Sequence, residues 1–200
     1  MTPESLNQRG KELGVTLHHG KQELVGELEP LWLSLFDHHL TTGAAGLPVI
    51  PRSESWPRRR ALYEQLLRGQ DAFVVVARRG PAAVGYALGH VHLGPDDTWA
   101  TGDRIGEVES LALLPGERGR GIGTLLLDCA EAILEDHGAR DVVIGVLAGN
   151  DGARRFYERR GMAPAIIKMM RIGPKPAGPA WPDHPVVARD MPASQPTRRP

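Results

Sequence analysis

The sequence predicts a mixed α/β fold, one central sheet with helices packed against it. Three observations predict it. Short apolar, β-branched runs alternate with segments of helical period. The early runs are separated by tight turn signals, so they pair antiparallel. Residues 105–147 then read strand, glycine-rich turn, long helix, strand, a βαβ unit that requires a parallel pair and a right-handed crossover.

The elements follow in order. Residues 1–14 are polar and read as a flexible leader, and Val15 to His18 as a short strand. Leu24, Leu28, Leu31, Leu35 and Phe36 recur at helical spacing from Lys21 to His39, with Pro30 predicting a break near Glu29. Gly43, Gly46, Pro48, Pro51 and Pro57 mark 40–57 as a loop, and Arg58 to Arg68 reads as a second helix. Ala72–Ala77 and Val84–Leu93 read as a hairpin about Gly80-Pro81. Ile105–Leu114 is the next strand. Gly121–His137 is the clearest helix, its stripe formed by Ile122, Leu125, Leu126, Cys129, Ile133 and Leu134. Asp141–Leu147 reads as a strand, Asn150–Arg160 as a helix and Ala165–Ile172 as a last strand. Beyond it, 173–200 is proline-rich and poor in apolar residues, and reads as a disordered tail. The expected domain is therefore 15–172.

Composition narrows the function. Lys plus Arg and Asp plus Glu both number 24, so no global field favours nucleic acid or an anionic membrane. The short basic runs Arg58-Arg59-Arg60 and Arg198-Arg199 give no wider patch, which ranks nucleic-acid binding low. No apolar run approaches the ~20 residues of a membrane span. Cys129 is the single cysteine, so no intrachain disulfide forms; a cytoplasmic protein is expected. No histidine, cysteine or carboxylate spacing points to a metal.

The decisive segment is Arg118-Gly119-Arg120-Gly121-Ile122-Gly123-Thr124, between a strand and a helix. Alternate glycines let the backbone come close to a ligand. The first turn of a helix offers unpaired N–H groups and partial positive charge, which attract phosphate. Arg118 and Arg120 add cationic donors. Counted from Gly119, Thr124 stands where a dinucleotide fingerprint has its third glycine, and no Walker lysine follows.

Arg118-x-x-Gly121-x-Gly123 resembles the R/Q-x-x-G-x-G/A signature of the GCN5-related N-acetyltransferases, the GNAT superfamily. A second segment, Asn150-x-x-Ala153-x-x-x-Tyr157-x-x-x-Gly161-Met162, resembles that family's N-x-x-A-x-x-x-Y-x-x-x-G-F, with Met162 in place of Phe. The element order agrees over roughly 15–172. The resemblance implies acetyl-CoA as acetyl donor, lying in the splay between two parallel strands. It implies that the backbone of Leu111, Ala112 and Leu113 meets the pantetheine arm. Arg118 to Thr124 would wrap the pyrophosphate, and Asn150 would reach the arm while also capping its helix. Tyr157 would act as general acid toward the leaving thiolate. Glu109, or else Glu107, would take the amine's proton. Strict alternation puts both carboxylates on the face of Leu111 and Leu113, unless a bulge intervenes. Gly145 stands where ribosomal-protein N-terminal acetyltransferases often carry a glutamate, which argues against a protein N-terminus as acceptor.

The acceptor pocket is expected between the first two helices with loop 40–57 and the loop 94–104. Trp32, Phe36, Trp56, Tyr63 and Trp99 either line it or hold the loops down, and Asp96, Asp97 and Asp103 are candidate attractants for a cation. His90 and His92 alternate and should share a face. The expected activity is direct acetyl transfer to an amine in a ternary complex; the rival is a non-catalytic acetyl-CoA sensor of the same fold. Dimers are frequent in the family, so a homodimer is compatible.

Overall fold

A computed structural model of the chain describes residues 2–42, 48–94, 100–171 and 173. Among these residues five strands form one sheet in sequence order: β1 (Thr16–Gly20), β2 (Phe73–Arg79), β3 (Ala82–Leu93), β4 (Arg104–Leu113) and β5 (Asp141–Ile144). The first four pair antiparallel, and β4 pairs parallel with β5. The β2–β3 hairpin turns on Gly80-Pro81, where Gly80 takes φ +59, a conformation that a two-residue hairpin loop demands. The helices are α1 (Pro3–Glu12), α2 (Glu29–Thr42), α3 (Arg52–Leu66), α4 (Ile122–Asp136) and α5 (Asp151–Glu158).

The sheet is covered on both faces. One core joins Phe73, Val75, Ala87 and Val108 to Leu125, Leu126 and Leu134 of α4, with Leu6 of α1 and Tyr157 of α5. The other joins Val74, Val76, Tyr86, Leu88 and Ala112 to Leu31, Trp32 and Phe36 of α2 and Trp56 and Tyr63 of α3. Buried leucines of this kind contribute roughly 1.5–3 kcal/mol each relative to exposure. The two-sided burial explains why β2 reads as a continuous apolar run.

Three sequence expectations change. Residues 3–12 form a helix, not a loose leader. Thr2 Oγ1 caps it by accepting from the Ser5 N–H at 3.3 Å, Pro3 opens its first turn, and Leu6 is buried. Helix α3 starts at Arg52, inside the expected loop, and runs through Pro57. Burial of Ser55 and Trp56 outweighs the lost backbone bond, and Ser55 Oγ accepts from Trp32 Nε1 at 2.9 Å. The expected last strand does not form over its described residues, 165–171. Ile166, Ile167, Met169 and Met170 point to both sides of any strand, so pairing would require burial of two faces, and all four are exposed. The break near Glu29 is found where Pro30 predicts it: residues 22–28 form a 3-10 segment and α2 starts at Glu29.

The chain divides into two units, Met1–Ile166 and Ile167–Pro200. In the second, the described residues 167–171 and 173 have no regular structure. The rest of the expected tail, 174–200, lies outside the described residues. No helix among the described residues is long and apolar enough to cross a membrane.

Candidate active site

The glycine-rich turn has the features of an anion cradle. Gly119 and Gly121 sit at φ +72 and +87, where L-residues are strained. A side chain added at Gly119 would meet nothing within 4 Å. Gly121 is the N-cap of α4 and supplies no side-chain acceptor. Among the described residues no acceptor meets the backbone N–H groups of 119 to 124, which begin the helix unpaired. The cradle is braced from behind. Arg79 makes a two-pronged ion pair with Glu117, at 3.1 and 2.8 Å, and also donates to the carbonyls of Leu13 and Gly14. Leu13 lies against Gly121, so the end of α1 supports the turn. Gly123 acts differently. A methyl there would come within 3.3 Å of Leu113 Cδ1, so this glycine sets the approach of α4 to β4.

Beside the cradle, β4 outruns its parallel partner. Pairing with β5 covers only Ile105 to Val108, whereas β4 continues to Leu113. Among the described residues, the backbone of residues 110–113 therefore faces a gap on the β5 side. Buried peptide groups need partners, so this edge fits an extended ligand carrying amides. Together, turn and gap fit the phosphates and the amide-bearing arm of acetyl-CoA.

A β-bulge lies at the start of the gap. Leu88 pairs with Ser110 but Gly89 pairs with Val108, so Glu109 is the extra residue. The strict alternation expected from the sequence fails here. Val108, Leu111 and Leu113 pack toward α4, while Glu109 meets α3 and Ser110 bonds Tyr63. Glu107 meets His90 and His92, which follow Tyr86 and Leu88 along the β3 face toward α2 and α3. Glu107 and Glu109 thus lie on the face opposite Leu111 and Leu113.

The two carboxylates are differently placed. Arg59 Nη1 donates to Glu109 Oε1 at 2.6 Å, and its guanidinium stacks 4.0 Å above the Trp32 ring and 5.5 Å from Tyr63. Behind this pair, the Tyr63 hydroxyl bonds those of Ser110 (2.7 Å) and Tyr86 (2.8 Å) in a buried network. Burial raises both phenols above their ordinary pKa. Glu107 Oε2 lies 3.6 Å from His90 Nε2 and 3.7 Å from His92 Nε2. Burial lowers the His90 pKa, opposed by the Glu107 charge. His39, packed edge-on to Trp32, is pushed down to about 4 by burial and by the nearby His38 and Arg59.

Tyr157 lies on α5, whose N-cap is Asn150: its Oδ1 accepts from the Ala153 N–H at 3.1 Å. Only 7% of Tyr157 is exposed, and burial raises its pKa. None of the described residues hydrogen-bonds its hydroxyl. Just after α5, Arg160 pairs with Asp128 of α4, which Arg9 of α1 also holds at 2.7 Å. Asp128 is a carboxylate on the buried face of α4, and helical spacing from Leu125 marks it as needing a cation. That signal stood in the sequence; Arg9, Arg160 and Arg79 carried none. Arg59 read only as part of a basic run.

The expected acceptor aromatics divide. Phe36, Trp56 and Tyr63 are core, and Trp32 is core on one side and a platform for Arg59 on the other. Asp103 is exposed; Trp99, Asp96 and Asp97 lie outside the described residues. A cleft of about 350 Å³ does open between α2 and the turn, lined by Pro30, Ser34, Asp37, His38, Thr41, Arg52, Pro115 and Arg118. Burial pushes the Cys129 thiol up to about 11, which suits an inert core thiol. Among the described residues no cluster of histidine, cysteine and carboxylate groups suits a metal.

Known proteins share both the sequence pattern and the fold. The acetyltransferase (GNAT) family model matches residues 32–162, well over half the chain. The chain belongs to that family. Mycothiol acetyltransferase of Cellulomonas flavigena is 33% identical over 124 residues, 60% of this chain but only 35% of that relative. An uncharacterized N-acetyltransferase of Mycobacterium tuberculosis is 32% identical over 113 residues, 56% of this chain and 67% of its own length. The chain thus spans about a third of the first relative and two thirds of the second. Among solved structures, a GCN5-related N-acetyltransferase from Ralstonia eutropha superposes with TM-score 0.64 at 20% identity, covering 80% of this chain and 99% of that one. The aminoglycoside N-acetyltransferase AAC(6')-Iy in complex with CoA gives 0.61 at 14%, covering 80% and 94%. These likenesses establish the GNAT fold, a mixed five-stranded sheet flanked by helices.

Proposed function

We propose that this GNAT-family protein is an acetyl-CoA-dependent N-acetyltransferase. It moves an acetyl group onto a primary amine of a small molecule or protein by direct transfer in a ternary complex. The observation that carries this reading is the junction of two backbone surfaces that are unpartnered among the described residues: the N–H groups of residues 119–124 and the β4 edge at 110–113. One suits a pyrophosphate, the other an amide-bearing arm. Both are fixed by backbone, so binding does not first have to order long side chains.

Acetyl-CoA, when bound, supplies a thioester whose carbonyl is open to an amine. The backbone at 110–113 holds and polarises that carbonyl. Of the two carboxylates, Glu107 is the better base. Glu109 is engaged by Arg59 at 2.6 Å, whereas Glu107 faces two imidazoles. This reverses the preference drawn from sequence. Glu109 then serves as an anchor, its charge balanced by Arg59 at the mouth of the site. Tyr157 donates a proton to the departing sulfur; its raised pKa keeps the phenol protonated at neutral pH. The transfer needs no cysteine, and Cys129 as a thiol would be a poor nucleophile.

Calorimetric titration with acetyl-CoA and with CoA tests the first half of the reading, and thiol release with a panel of amines tests the second. Binding with amine-dependent release is expected. Binding without release for every amine would favour an acetyl-CoA sensor. A folded sample that binds neither ligand would remove the cradle reading altogether.

A further inference from the structure

Acetylating an ammonium group gives amide, thiol and one net proton, which must leave a half-buried site. We propose that His92, with His90 beside it, takes that proton from Glu107 and delivers it to solvent. The inference rests on Glu107 being the base. Three observations carry it. Both Nε2 atoms converge on the same carboxylate oxygen, Glu107 Oε2, at 3.6 and 3.7 Å. Exposure rises along the group, from 16% for the His90 side chain through 34% for Glu107 to 40% for His92. The hydrogen-bond pattern then fixes which nitrogen is basic. His92 Nδ1 lies 2.9 Å from the Leu93 carbonyl oxygen, which can only accept, so Nδ1 carries the hydrogen. In the neutral ring Nε2 is then a bare lone pair facing Glu107, as a proton acceptor must be.

The steps balance. The amine gives a proton to the Glu107 carboxylate, and the carboxyl gives it to His92 Nε2. The imidazolium releases it to water or buffer, and the lone pair returns. Each gap is about 0.7 Å longer than the usual N–H···O distance, closed by a rotamer adjustment. His90 holds the inner side of the same oxygen. Burial disfavours its charged form, so it competes poorly for the proton. Among the described residues the neighbouring cations are committed elsewhere. Arg59 is paired with Glu109, Arg104 on β4 pairs with Asp71, and β5 presents Val143 opposite Glu107. Glu107 and the two imidazoles are left to act on one another.

The test uses the whole protein. Thiol release from acetyl-CoA is followed with spermidine, kanamycin, L-lysine and water as acceptors, in dilute and in concentrated buffer. His92→Gln should be slower than wild type by about tenfold or more in dilute buffer. Concentrated imidazole should restore it, while acetyl-CoA affinity stays unchanged. Equal rates in dilute buffer, or a slow variant that imidazole does not rescue, overturns the relay. Imidazole NMR supplies an arm independent of turnover. Glu107→Gln removes the negative charge that opposes burial at His90, so the His90 midpoint should fall; an unmoved midpoint also overturns it. A folded wild type that binds no acetyl-CoA sinks the acetyltransferase reading and the relay with it. Binding with release indifferent to His92 sinks the relay alone.

Discussion

Four glycines in and around the cradle make a graded experiment, because the structure assigns each a different cost. Gly119→Ala and Gly121→Ala place a β-carbon at φ +72 and +87. A left-handed conformation costs an L-residue about 1–2 kcal/mol. Neither new methyl meets a close atom: Gly119 faces open space and Gly121 meets Leu13 at an ordinary 3.5 Å. The strain is therefore the whole stability cost. For a domain of this size it lowers Tm by about 2–8 °C. Gly116→Ala is the control, with φ not positive and nothing within 4 Å, and should be neutral. Gly123→Ala carries no conformational strain but crowds Leu113 at 3.3 Å, so its cost is a small repacking of α4 on β4. Binding separates the positions again. If the turn relaxes to relieve strain, N–H groups leave the phosphate, and each charge-assisted bond lost weakens acetyl-CoA by about 1.5–3 kcal/mol, or roughly 10- to 150-fold. Gly121→Val, branched at the β-carbon, should lose binding outright. Thermal unfolding and calorimetry of the purified series read both effects. If Gly119→Ala and Gly121→Ala match Gly116→Ala in Tm and in acetyl-CoA affinity, the turn does not work as argued.

Two further outcomes are expected. Tyr157→Phe should lower kcat for thiol release by about 10²-fold or more with acetyl-CoA affinity nearly unchanged, since only the proton donor is lost; an unchanged kcat would assign the proton to water. Asp128→Ala strands Arg9 and leaves Arg160 only Glu131, at 3.4 Å. Breaking a buried pair costs about 3–5 kcal/mol, but both arginines are about a third exposed and rehydrate, so about 2 kcal/mol by urea unfolding is the better expectation. A change within error would mean that α1 and the end of α5 are held by packing alone.

The sequence carried the parts of the site made from backbone and from spacing. The glycine turn, the helix after it, the Asn150 cap and the two-histidine face are local patterns, and local patterns are legible. What it hid depends on tertiary partners. The bulge at Glu109 leaves no residue signature, yet it moves both carboxylates to the other face from Leu111 and Leu113. Arg59 looks like any surface arginine until α3 lays it over Trp32 and against Glu109. Helix α1 is polar along its length, and a single buried leucine with one arginine on Asp128 docks it. Pro57 argued for a loop, and tertiary burial of Trp56 overruled it.

The bulge also explains how one strand serves three purposes. An unbulged β4 would put residues 107, 109, 111 and 113 on one face, leaving carboxylates and leucines to compete for the same packing space. One extra residue at Glu109 shifts the phase. Upstream of it, Glu107 joins the histidines of β3; downstream, Leu111 and Leu113 seal α4. A bulge also strengthens local twist and bends the strand, and this one sits just past Val108, where pairing with β5 stops. The same irregularity thus accounts for the change of face and for the parting of the two parallel strands. It also brings a half-exposed carboxylate next to the unpartnered edge. In the proposed function, Glu107 is a base beside a polarising backbone edge, with a cradle for phosphates at the strand's far end, the arrangement an acetyl transfer from a phosphorylated thioester carrier requires.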